Sequence, residues 1–376
     1  MKGNMKVKAL QCYGANQLKL VEFNKPVPDE DSAMLKIELC GICGSDIHGI
    51  EGKRSVKYPF IPGHEIVATV ESKGKNANKS IKVFGGEDIN VGDRVVVNPR
   101  TVCGKCYYCK NFPSLQELCL NTITSTGIGS GTYPHLFGGW AEYIYVLPNS
   151  ELIKLPDSLP SEIAVLTEPF TCAVGCVDRY KREHAWVSGD AFSINDTVVV
   201  YGVGAVGILM VAAFYLAGAK QIIAVDVNPD RLLLSLEFGA THILDPSKLE
   251  VSQRIKAVMD LTDGLGAGIV IEACGSPDTI SEGINMLRRR GKLFELGHAF
   301  YAGFAEIDPY IICRNEIEVL GYYAYPSSNS MLSAVELLND HKLPYEKLTK
   351  FFRLNNFMEV IFEKNTGGAV KPVFKL

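Results

Sequence analysis

The chain has 376 residues, a length that predicts about two domains rather than a single hydrophobic core. Hydrophobic residues make up 47% of it and charged residues 21%, the balance of an ordinary globular protein, and the net charge of −4 gives no electrostatic basis for binding nucleic acid or an anionic membrane. The N-terminal stretch MKGNMKVKAL lacks the apolar core of a signal peptide, and the longest apolar run, residues 205–219, is too short to span a bilayer, so we expect a cytoplasmic protein with no membrane partner.

The first third of the chain is predicted to be rich in β-strands. Short apolar runs such as AMLKIELCGI, EIVATVES, DRVVVNPR and AEYIYVLP are separated by Gly, Pro and Asn. Their spacing suits a small barrel-like fold with long loops, and residues 76–90 are predicted to form a polar loop or hairpin between two of the strands. Four aromatic residues of this part are expected either to line a pocket or to belong to the core: Tyr58, Phe60, Phe137 and Trp140.

Side chains suited to metal binding and proton transfer occur in three short motifs, GICGSDIHG, PGHE and LTEPF. They are Cys43, Ser45, Asp46, His48, His64, Glu65 and Glu168. A lone His-Glu pair is more often a surface feature than a pair of ligands. A thiolate, an imidazole and a carboxylate together, however, leave a coordination position for water or substrate, which a catalytic zinc requires.

Four cysteines occur within the segment CGKCYYCKNFPSLQELC. Two residues separate Cys103 from Cys106 and Cys106 from Cys109, and nine residues precede Cys119. Without a secretion signal this clustering favours a metal over disulfides, and four thiolates form a closed tetrahedral zinc site with no position for substrate. An iron–sulfur cluster and free thiols are the alternatives. Six cysteines in apolar surroundings are expected to be ordinary buried thiols: Cys12, Cys40, Cys172, Cys176, Cys274 and Cys313.

From residue 161 the apolar periodicity becomes helical, and from residue 196 strands and helices alternate. The predicted strands are DTVVVYG, QIIAVDV, ATHILDP, GAGIVIEACG and KLFELGH. The predicted helices are GILMVAAFYLAGA, DRLLLSLEFGA, Val251–Leu261 and DTISEGINMLRRRG, with Arg288, Arg289 and Arg290 as a solvated helix end. This alternation predicts a parallel, doubly wound sheet, and the pattern becomes mixed again after about Ile312.

A glycine-rich loop stands between the first of these strands and its helix. Gly202, Gly204 and Gly207 have the G-x-G-x-x-G spacing of dinucleotide-binding loops, in which the helix N-terminus offers N–H groups to phosphate. The first glycine permits a tight turn, the second a close approach of the pyrophosphate, and the third close packing of the helix on the sheet. The intervening residues of the predicted cofactor loop are Val203, Ala205 and Val206. A glycine-rich turn that binds nothing is the alternative.

An acidic residue at the end of the next strand indicates which dinucleotide is bound. Asp226 follows Gly204 by 22 residues, where a carboxylate can accept hydrogen bonds from the ribose diol and would repel a 2′-phosphate. NAD is therefore favoured over NADP. Arg231 is predicted to stack on the adenine or to be solvated rather than to bind a phosphate.

In order and together, these motifs resemble those of the zinc-dependent medium-chain alcohol dehydrogenases over essentially the whole chain. The matching segments are GICGSDIH, GHE, VGDRV, the four-cysteine lobe, GGWAEY, Glu168-Pro169, GVGAVG and VIEACG. The resemblance implies an α/β fold with a GroES-like β-rich catalytic domain at 1–169, whose structural zinc lobe is at about 100–120, and a Rossmann NAD-binding domain at 170–312. Residues 313–376 would return to the catalytic domain.

The resemblance also implies the ligands of two zinc ions. Cys43 and His64 would bind a catalytic zinc together with a carboxylate, from Glu65 or Glu168, as in the polyol and threonine branches of the family. The four cysteines of the lobe would bind a structural zinc. Three departures from the family are the long gap before Cys119, with two extra residues within 112–115, Ala68 in place of a usual glycine, and a loop before Val91 that is longer than usual.

Family resemblance further assigns roles in proton transfer. The Ser45 hydroxyl would lie next to the substrate oxygen and pass its proton toward His48 through the nicotinamide ribose, since an unperturbed histidine has a pKa of about 6.5. Asp46 would orient a zinc ligand or an arginine.

The expected function is the reversible oxidation of a secondary alcohol of a polyol, sugar or related hydroxy compound to a ketone, with hydride transfer to NAD. L-Threonine 3-dehydrogenase and butanediol-type dehydrogenase activities are alternatives. Zinc-free reductases lack Cys43, His64 and Glu65, and a non-catalytic NAD-binding protein is the alternative from another class. A small-molecule substrate and a homo-oligomer, dimer or tetramer, are expected, with the KLFELGH strand and residues 302–313 as the interface.

Overall fold

The computed structural model describes residues 5–113, 115–124, 127–183, 196–298, 301–323, 327–363, 366 and 368–376. The chain forms two compact units, one of Met1–Thr171 with Pro326–Leu376 and the other of Cys172–Tyr325. Ser114, within the stretch predicted to hold the extra residues of the cysteine lobe, lies outside the described residues. Within the described ranges, no helix combines the length and the apolar character needed to cross a membrane.

The regular elements are numbered in chain order. The strands are β1 (Lys6–Cys12), β2 (Leu18–Asn24), β3 (Ala33–Gly41), β4 (Glu65–Lys73), β5 (Lys82–Phe84), β6 (Arg94–Val97), β7 (Arg100–Thr101), β8 (Ile123–Thr124), β9 (Tyr143–Val146), β10 (Glu151–Lys154), β11 (Thr197–Tyr201), β12 (Gln221–Val225), β13 (His242–Leu244), β14 (Ala267–Glu272), β15 (Leu287–Glu295), β16 (Glu318–Gly321), β17 (Thr349–Arg353) and β18 (Lys371–Lys375). The α-helices are α1 (Gly44–Ile50), α2 (Ala77–Ser80), α3 (Tyr107–Asn111), α4 (Ser161–Ala164), α5 (Thr167–Glu183), α6 (Ala205–Leu216), α7 (Pro229–Glu237), α8 (Val251–Leu261), α9 (Pro277–Met286), α10 (Pro309–Asn315) and α11 (Ser328–Asn339). Shorter helical turns are Gln116–Leu118, Tyr345–Lys347, Leu354–Asn356 and Met358–Phe362.

The first unit is built on a sheet of eight strands in the order β17-β18-β3-β4-β6-β10-β5, with β9 paired to β3. Strand β3 is buried along most of its length, which explains its nearly continuous apolar sequence. Phe60, Phe137 and Trp140 are buried in the core of this unit and Tyr58 packs against it, so the core interpretation of these four aromatics is the correct one.

The polar loop predicted at residues 76–90 contains regular structure. Helix α2 and the edge strand β5 lie within it, and β5 pairs in parallel with β10. Ile81 and Ile89 are buried and anchor the segment to the core. The mostly polar composition of the segment gave no sign that Ile81 and Ile89 are buried, so the loop prediction is only partly correct.

The second unit contains a six-stranded sheet in the order β13-β12-β11-β14-β15-β16, and all of its neighbouring strands are parallel. This is the order of a doubly wound nucleotide-binding sheet, and it confirms the predicted fold class. Strands β11 and β14 are buried at every position because helices cover parallel sheets on both faces. Helix α6 is correspondingly apolar and has eight buried residues.

The prediction that Arg288, Arg289 and Arg290 end a helix is wrong. Helix α9 ends at Met286, and the three arginines belong to strand β15. The backbone of this strand pairs with β14, and Arg288 Nη2 lies 3.2 Å from Asp196 Oδ1. Strand pairing in the folded sheet thus overrides the helical periodicity of the local sequence.

The burial expected for six cysteines is confirmed for four of them. Cys12, Cys40, Cys172 and Cys176 are buried, whereas Cys274 and Cys313 are exposed. Cys274 lies two residues past the end of β14, and Cys313 lies on α10, a helix without buried residues. For these two residues the prediction is wrong, because apolar neighbours in sequence do not guarantee cover from distant elements.

Candidate metal centres and dinucleotide loop

The first candidate metal centre lies in the first unit and is formed by Cys43, His64 and Glu65. Each residue offers one ligand atom, and these atoms lie within 4.8 Å of one another. Cys43 precedes α1 as its N-cap residue, and Glu65 begins β4 directly after His64. A turn before a short helix and the start of a sheet strand therefore place sulfur, nitrogen and oxygen donors around one point.

Asp46 fixes two parts of this centre from the first turn of α1. Its Oδ2 accepts a hydrogen bond from the backbone N–H of Cys43 at 3.1 Å, and its Oδ1 lies 3.1 Å from His64 Nδ1. Oδ1 also accepts the backbone N–H of Gly63 at 3.0 Å. With Nδ1 facing a carboxylate, Nε2 of His64 is the nitrogen available to a metal.

The Asp46–His64 pair also shifts both pKa values. Burial alone would raise the pKa of Asp46, but His64 and the N–H groups of Gly63 and Cys43 lower it below its usual value. For His64, burial alone would lower the pKa, but Asp46 raises it well above its usual value. Asp46 is therefore ionised and holds the imidazole ring in one orientation.

Glu65 presents one oxygen to a lysine and one to the candidate centre. Its Oε1 accepts a hydrogen bond from Lys371 Nζ at 2.5 Å, and both side chains are buried. Its Oε2 is buried and has no hydrogen-bond partner among the residues that the structure describes. An unpaired carboxylate oxygen in a buried position is costly, so Glu65 Oε2 has the character of a metal ligand.

Glu168 lies in the first turn of α5, where it is buried, and it is not a member of the three-residue group. Burial raises its pKa to about 7, with His64 and Lys371 acting in the opposite direction and Glu65 adding to the increase. These charge interactions put Glu168 beside the centre. The structure thus gathers both carboxylates considered from sequence but groups only Glu65 with the other donors.

Ser45 and His48 both belong to α1, three residues apart and so on one side of this helix. His48 Nδ1 lies 3.6 Å from Glu51 Oε2, and about a third of its side chain is exposed, 35%. Burial lowers the pKa of His48, and Lys53 adds to this effect while Glu51 opposes it. The imidazole is consequently neutral, and able to accept a proton, at neutral pH.

The four cysteines of the second candidate centre come together as a compact group. All four sulfur atoms lie within 4.8 Å of one another, with Cys106 and Cys109 3.5 Å apart. Cys106 precedes α3, Cys109 lies on that helix, and Cys119 ends the following turn at Gln116–Leu118. The long gap before Cys119 is accommodated, because its Sγ accepts the backbone N–H of Cys103 at 3.3 Å.

Backbone donors favour thiolates in this lobe. The N–H of Lys105 is the main cause that lowers the pKa of Cys103 to about 6, and the N–H of Cys109 lowers the pKa of Cys106. Burial and the adjacent thiols raise the pKa of Cys109. Four sulfurs this close cannot all ionise without a cation, so the donor set fits a tetrahedral zinc ion.

The glycine loop of the second unit joins β11 to α6. Gly202 has a φ of +80°, and a Cβ there would come within 2.7 Å of Cys274 Cβ. A Cβ on Gly207 would lie 1.8 Å from the carbonyl oxygen of Gly202. Gly204 is the N-cap residue of α6, followed by Ala205 and Val206 in the first turn. Side chains are thus excluded where the turn and helix approach each other, as the sequence predicts.

Asp226 lies one residue past the end of β12 and binds the glycine loop. Its Oδ2 accepts the backbone N–H of Val203, and its Oδ1 accepts that of Asn228, both at 2.8 Å. Each oxygen can accept a second hydrogen bond, so the carboxylate still suits a ribose diol. The guanidinium of Arg231 reaches the loop, because its Nη1 lies 3.8 Å from the position of a Cβ on Gly204.

Lys371 is the residue of the first centre that the sequence did not indicate. The only local sign is a charged residue in the otherwise apolar strand VKPVF, whose neighbours Val373 and Phe374 are buried. Nothing in the sequence relates this lysine to GHE, because the contact forms only when β18 joins the sheet beside β3.

Family models match two long segments of the chain. Residues 29–157 match the alcohol dehydrogenase GroES-like domain, and residues 205–340 match the zinc-binding dehydrogenase model. The first segment contains Cys43, His64, Glu65 and the four cysteines of the lobe but not Glu168, and the second begins within the glycine loop.

Individual proteins are similar over nearly the whole length. Sorbitol dehydrogenase of Bacillus subtilis is 30% identical over 88% of this chain and 86% of its own. The probable D-xylulose reductase A of Arthroderma otae is 32% identical over 95% of this chain and 94% of its own. An alcohol dehydrogenase structure from Thermotoga maritima superimposes with a TM-score of 0.89 at 26% identity and covers 99% of both chains.

Proposed function

Because this chain belongs to the zinc-dependent medium-chain alcohol dehydrogenase family, we propose that it oxidises a secondary hydroxyl of a polyol or sugar to a ketone, with hydride transfer to NAD. The observation that carries the proposal is the group of Cys43, His64 and Glu65, with its buried and unpartnered Glu65 Oε2. Three protein donors leave one position of a tetrahedral ion to the substrate.

The protein's own residues hold the centre and move the proton. Cys43, His64 Nε2 and Glu65 Oε2 would hold the catalytic zinc, and Asp46 keeps His64 in the orientation that this requires. When bound, zinc supplies Lewis acidity toward the hydroxyl oxygen, and NAD accepts the hydride. The Ser45 hydroxyl would accept the substrate's hydroxyl proton while its own proton passes on toward His48, whose neutral imidazole can accept it.

A polyol or sugar is the proposed substrate class rather than a simple primary alcohol. Two buried carboxylates, Glu65 and Glu168, stand at the centre together with Lys371, so the surroundings offer acceptors and a cation to hydroxyl groups. Similarity to a sorbitol dehydrogenase and to a D-xylulose reductase supports the same class.

NAD is the proposed form of the nicotinamide cofactor. The helix N-terminus after Gly204 offers backbone N–H groups to the pyrophosphate, and Asp226 stands at the end of the neighbouring strand. A second negative charge from a 2′-phosphate would be repelled by this carboxylate. Arg231 is close enough to the loop to contact the cofactor as well.

We further propose one structural zinc per chain in addition to the catalytic one. The sulfur atoms of Cys103, Cys106, Cys109 and Cys119 form a complete tetrahedral set and leave no position for substrate. Replacing Cys106 by serine is expected to remove one zinc ion per chain and to lower thermal stability. Retention of the full zinc content in this variant would contradict the assignment.

A homo-oligomer is proposed from the surface of the second unit. The predicted interface strand β15 lies between β14 and β16 within the described sheet, so β16 rather than β15 is its outermost strand. Phe304, within the sequence segment 302–313, is 89% exposed, and Tyr301, directly before this segment, is 81% exposed. A monomeric mass measured by light scattering at micromolar protein concentration would contradict the proposed homo-oligomer. The cytoplasmic location stays a prediction from the sequence.

Two measurements test the proposed reaction. A panel of sorbitol, inositols, butanediol, sugar acids and L-threonine with NAD is expected to give reduction with a polyol or sugar member and a ketone as product. Replacing Cys43 by serine is expected to abolish turnover and to remove one zinc ion. Turnover that persists in Cys43→Ser without this zinc would overturn the mechanism, and reduction with threonine alone would overturn the substrate class.

A further inference from the structure

A separate group of possible metal ligands lies in the second unit. It consists of Glu272, Glu295 and His298, each of which offers one ligand atom within 4.8 Å of the other two. Glu272 ends β14, Glu295 ends the adjacent parallel strand β15, and His298 follows three residues later. The carboxyl ends of parallel strands meet at one edge, where doubly wound folds bind their ligands. We call these residues the Glu272 cluster.

The spacing of the Glu272 cluster suits a small divalent cation. His298 Nδ1 lies 2.9 Å from Glu295 Oε1 and 3.4 Å from Glu272 Oε2. Two ligands that each lie about 2.1 Å from a zinc ion at the tetrahedral angle are about 3.4 Å from each other. A cation therefore fits among these atoms with only small shifts of the side chains.

The two oxygens of Glu272 have different surroundings. Glu272 is fully buried, and its Oε1 accepts the backbone N–H groups of Cys274 and Gly275 at 3.0 and 2.9 Å and the Thr279 hydroxyl at 3.1 Å. Its Oε2, by contrast, has no hydrogen-bond partner within the part of the chain that is described. The loop after β14 thus holds the carboxylate and turns the other oxygen toward His298.

Unpartnered atoms occur on all three residues of the cluster. Glu295 Oε2 and His298 Nε2 are buried without hydrogen-bond partners among the described residues, as is Glu272 Oε2. Buried polar groups are costly unless they are paired or bind a metal. Glu295 and His298 also line an open pocket of about 270 Å³, which gives a cation in solution a route to the cluster.

We propose that Glu272, Glu295 and His298 form an additional binding site for a divalent transition cation such as zinc. Two carboxylates and one imidazole suit ions of this kind, and the set contains no thiolate, unlike the two centres of the first unit. None of its residues belongs to the two metal centres of the first unit or to the glycine loop.

The Glu272 cluster places two carboxylates beside a single imidazole. One imidazolium would neutralise only one of the two negative charges. A divalent cation neutralises both carboxylates and leaves His298 neutral. Charge balance therefore favours the cation.

Cobalt(II) separates this site from the thiolate centres by spectroscopy. Cobalt bound to thiolate gives strong charge-transfer absorption in the near ultraviolet, whereas cobalt bound to carboxylate and imidazole does not. The full-length protein, freed of metal, is titrated with Co²⁺ while this band and the total bound cobalt are recorded. We expect one further equivalent per chain to bind after the thiolate band has stopped rising.

Two variants test whether the additional equivalent of Co²⁺ binds at the Glu272 cluster. His298→Gln and Glu295→Gln are each expected to weaken its binding by about tenfold or more, with the thiolate band unchanged. Both side chains lie near the surface, at 17% and 20% exposure, so folding should tolerate them better than a change at buried Glu272. Circular dichroism checks that both variants remain folded.

A matched control and the thiolate band keep the outcomes distinct. Glu306→Gln removes the same charge from an exposed position of the second unit and is expected to retain the extra equivalent. The proposal is overturned if wild-type protein binds no cobalt beyond the thiolate band, or if both variants bind it with unchanged affinity. Failure of the proposed dehydrogenase activity would show instead in the polyol assay, which does not enter this comparison.

Discussion

Lys371 Nζ lies 2.5 Å from Glu65 Oε1, although 306 positions separate the two residues in the chain. Lys371 begins β18 and Glu65 begins β4, and both strands flank β3 in the sheet of the first unit. Burial alone would lower the pKa of Lys371, but Glu65 and then Cys43 raise it, so the lysine stays charged. The C-terminal strand thereby supplies a positive charge to the candidate catalytic centre and fixes one oxygen of a proposed zinc ligand.

Replacing Lys371 by methionine is expected to lower the free energy of unfolding by about 3–5 kcal/mol. The substitution leaves the buried carboxylate of Glu65 without its partner, and an uncompensated buried charge is far more costly than an exposed one. Urea unfolding followed by circular dichroism measures the change.

Two further variants test whether the buried ion pair is the cause. Lys375→Met removes an exposed lysine from the same strand and is expected to change stability by less than about 0.5 kcal/mol. The double variant Lys371→Met with Glu65→Met removes both charges and should recover most of the lost stability. A single Lys371→Met variant as stable as wild type would contradict the ion pair.

Zinc binding at the first centre is expected to strengthen as the pH rises through about 7, partly because of Glu168. Burial raises the pKa of this carboxyl to about 7, so it is neutral below that pH and negatively charged above it. Only the ionised form attracts the cation. Competition with a chromophoric chelator between about pH 6 and pH 8 measures this dependence.

The contribution of Glu168 is the difference between wild type and Glu168→Gln. The variant retains the pH dependence due to Cys43, His64 and the four-cysteine lobe and is expected to lose the rest. Glu162→Gln, which alters an exposed carboxylate on the preceding helix α4, should behave as wild type. If zinc affinity depended on pH equally in wild type and Glu168→Gln, Glu168 would not contribute to zinc binding at this centre.

His48→Gln is expected to slow alcohol oxidation by about 10²-fold while both zinc ions are retained. Burial is the main cause that lowers the pKa of His48 below its usual 6.5, because it disfavours the charged form. The wild-type rate should therefore fall on the acid side only at a pH below 6.5, where the imidazole becomes protonated and can accept nothing. The pH profile of kcat measures both effects, and an unchanged acid limb in the variant would exclude His48 as the proton acceptor.

Gly202→Ala is expected to weaken NAD binding and to cost stability. At a φ of +80° a side chain is strained, and the new Cβ would lie 2.7 Å from Cys274 Cβ, so the loop has to shift. Gly264→Ala serves as a matched control, since its φ is +78° but no atom lies within 4 Å of the new Cβ. Titration calorimetry with NAD should show weaker binding for Gly202→Ala alone; equal affinity in the two variants would contradict the steric argument.

The sequence determined the local chemistry of this protein. Motif spacing predicted the glycine loop and the four-cysteine lobe, because each motif is short enough for local turns to bring its residues together. The family resemblance added Cys43, His64 and a carboxylate from Glu65 or Glu168. Alternating strands and helices likewise predicted the parallel sheet, since its buried strands are apolar at nearly every position. These features depend on interactions between residues that are close in the chain, and such interactions are visible in the local sequence pattern.

Only the tertiary structure decided which distant charges meet. Lys371 pairs with Glu65 across β3, and Glu272 meets His298 at the ends of two parallel strands, although no local pattern links either pair. Strand pairing between distant parts of the chain likewise places Arg288 in β15, although the local sequence predicts a helix end. Strand order and register set these contacts, and they follow from the packing of the whole sheet rather than from any stretch of sequence.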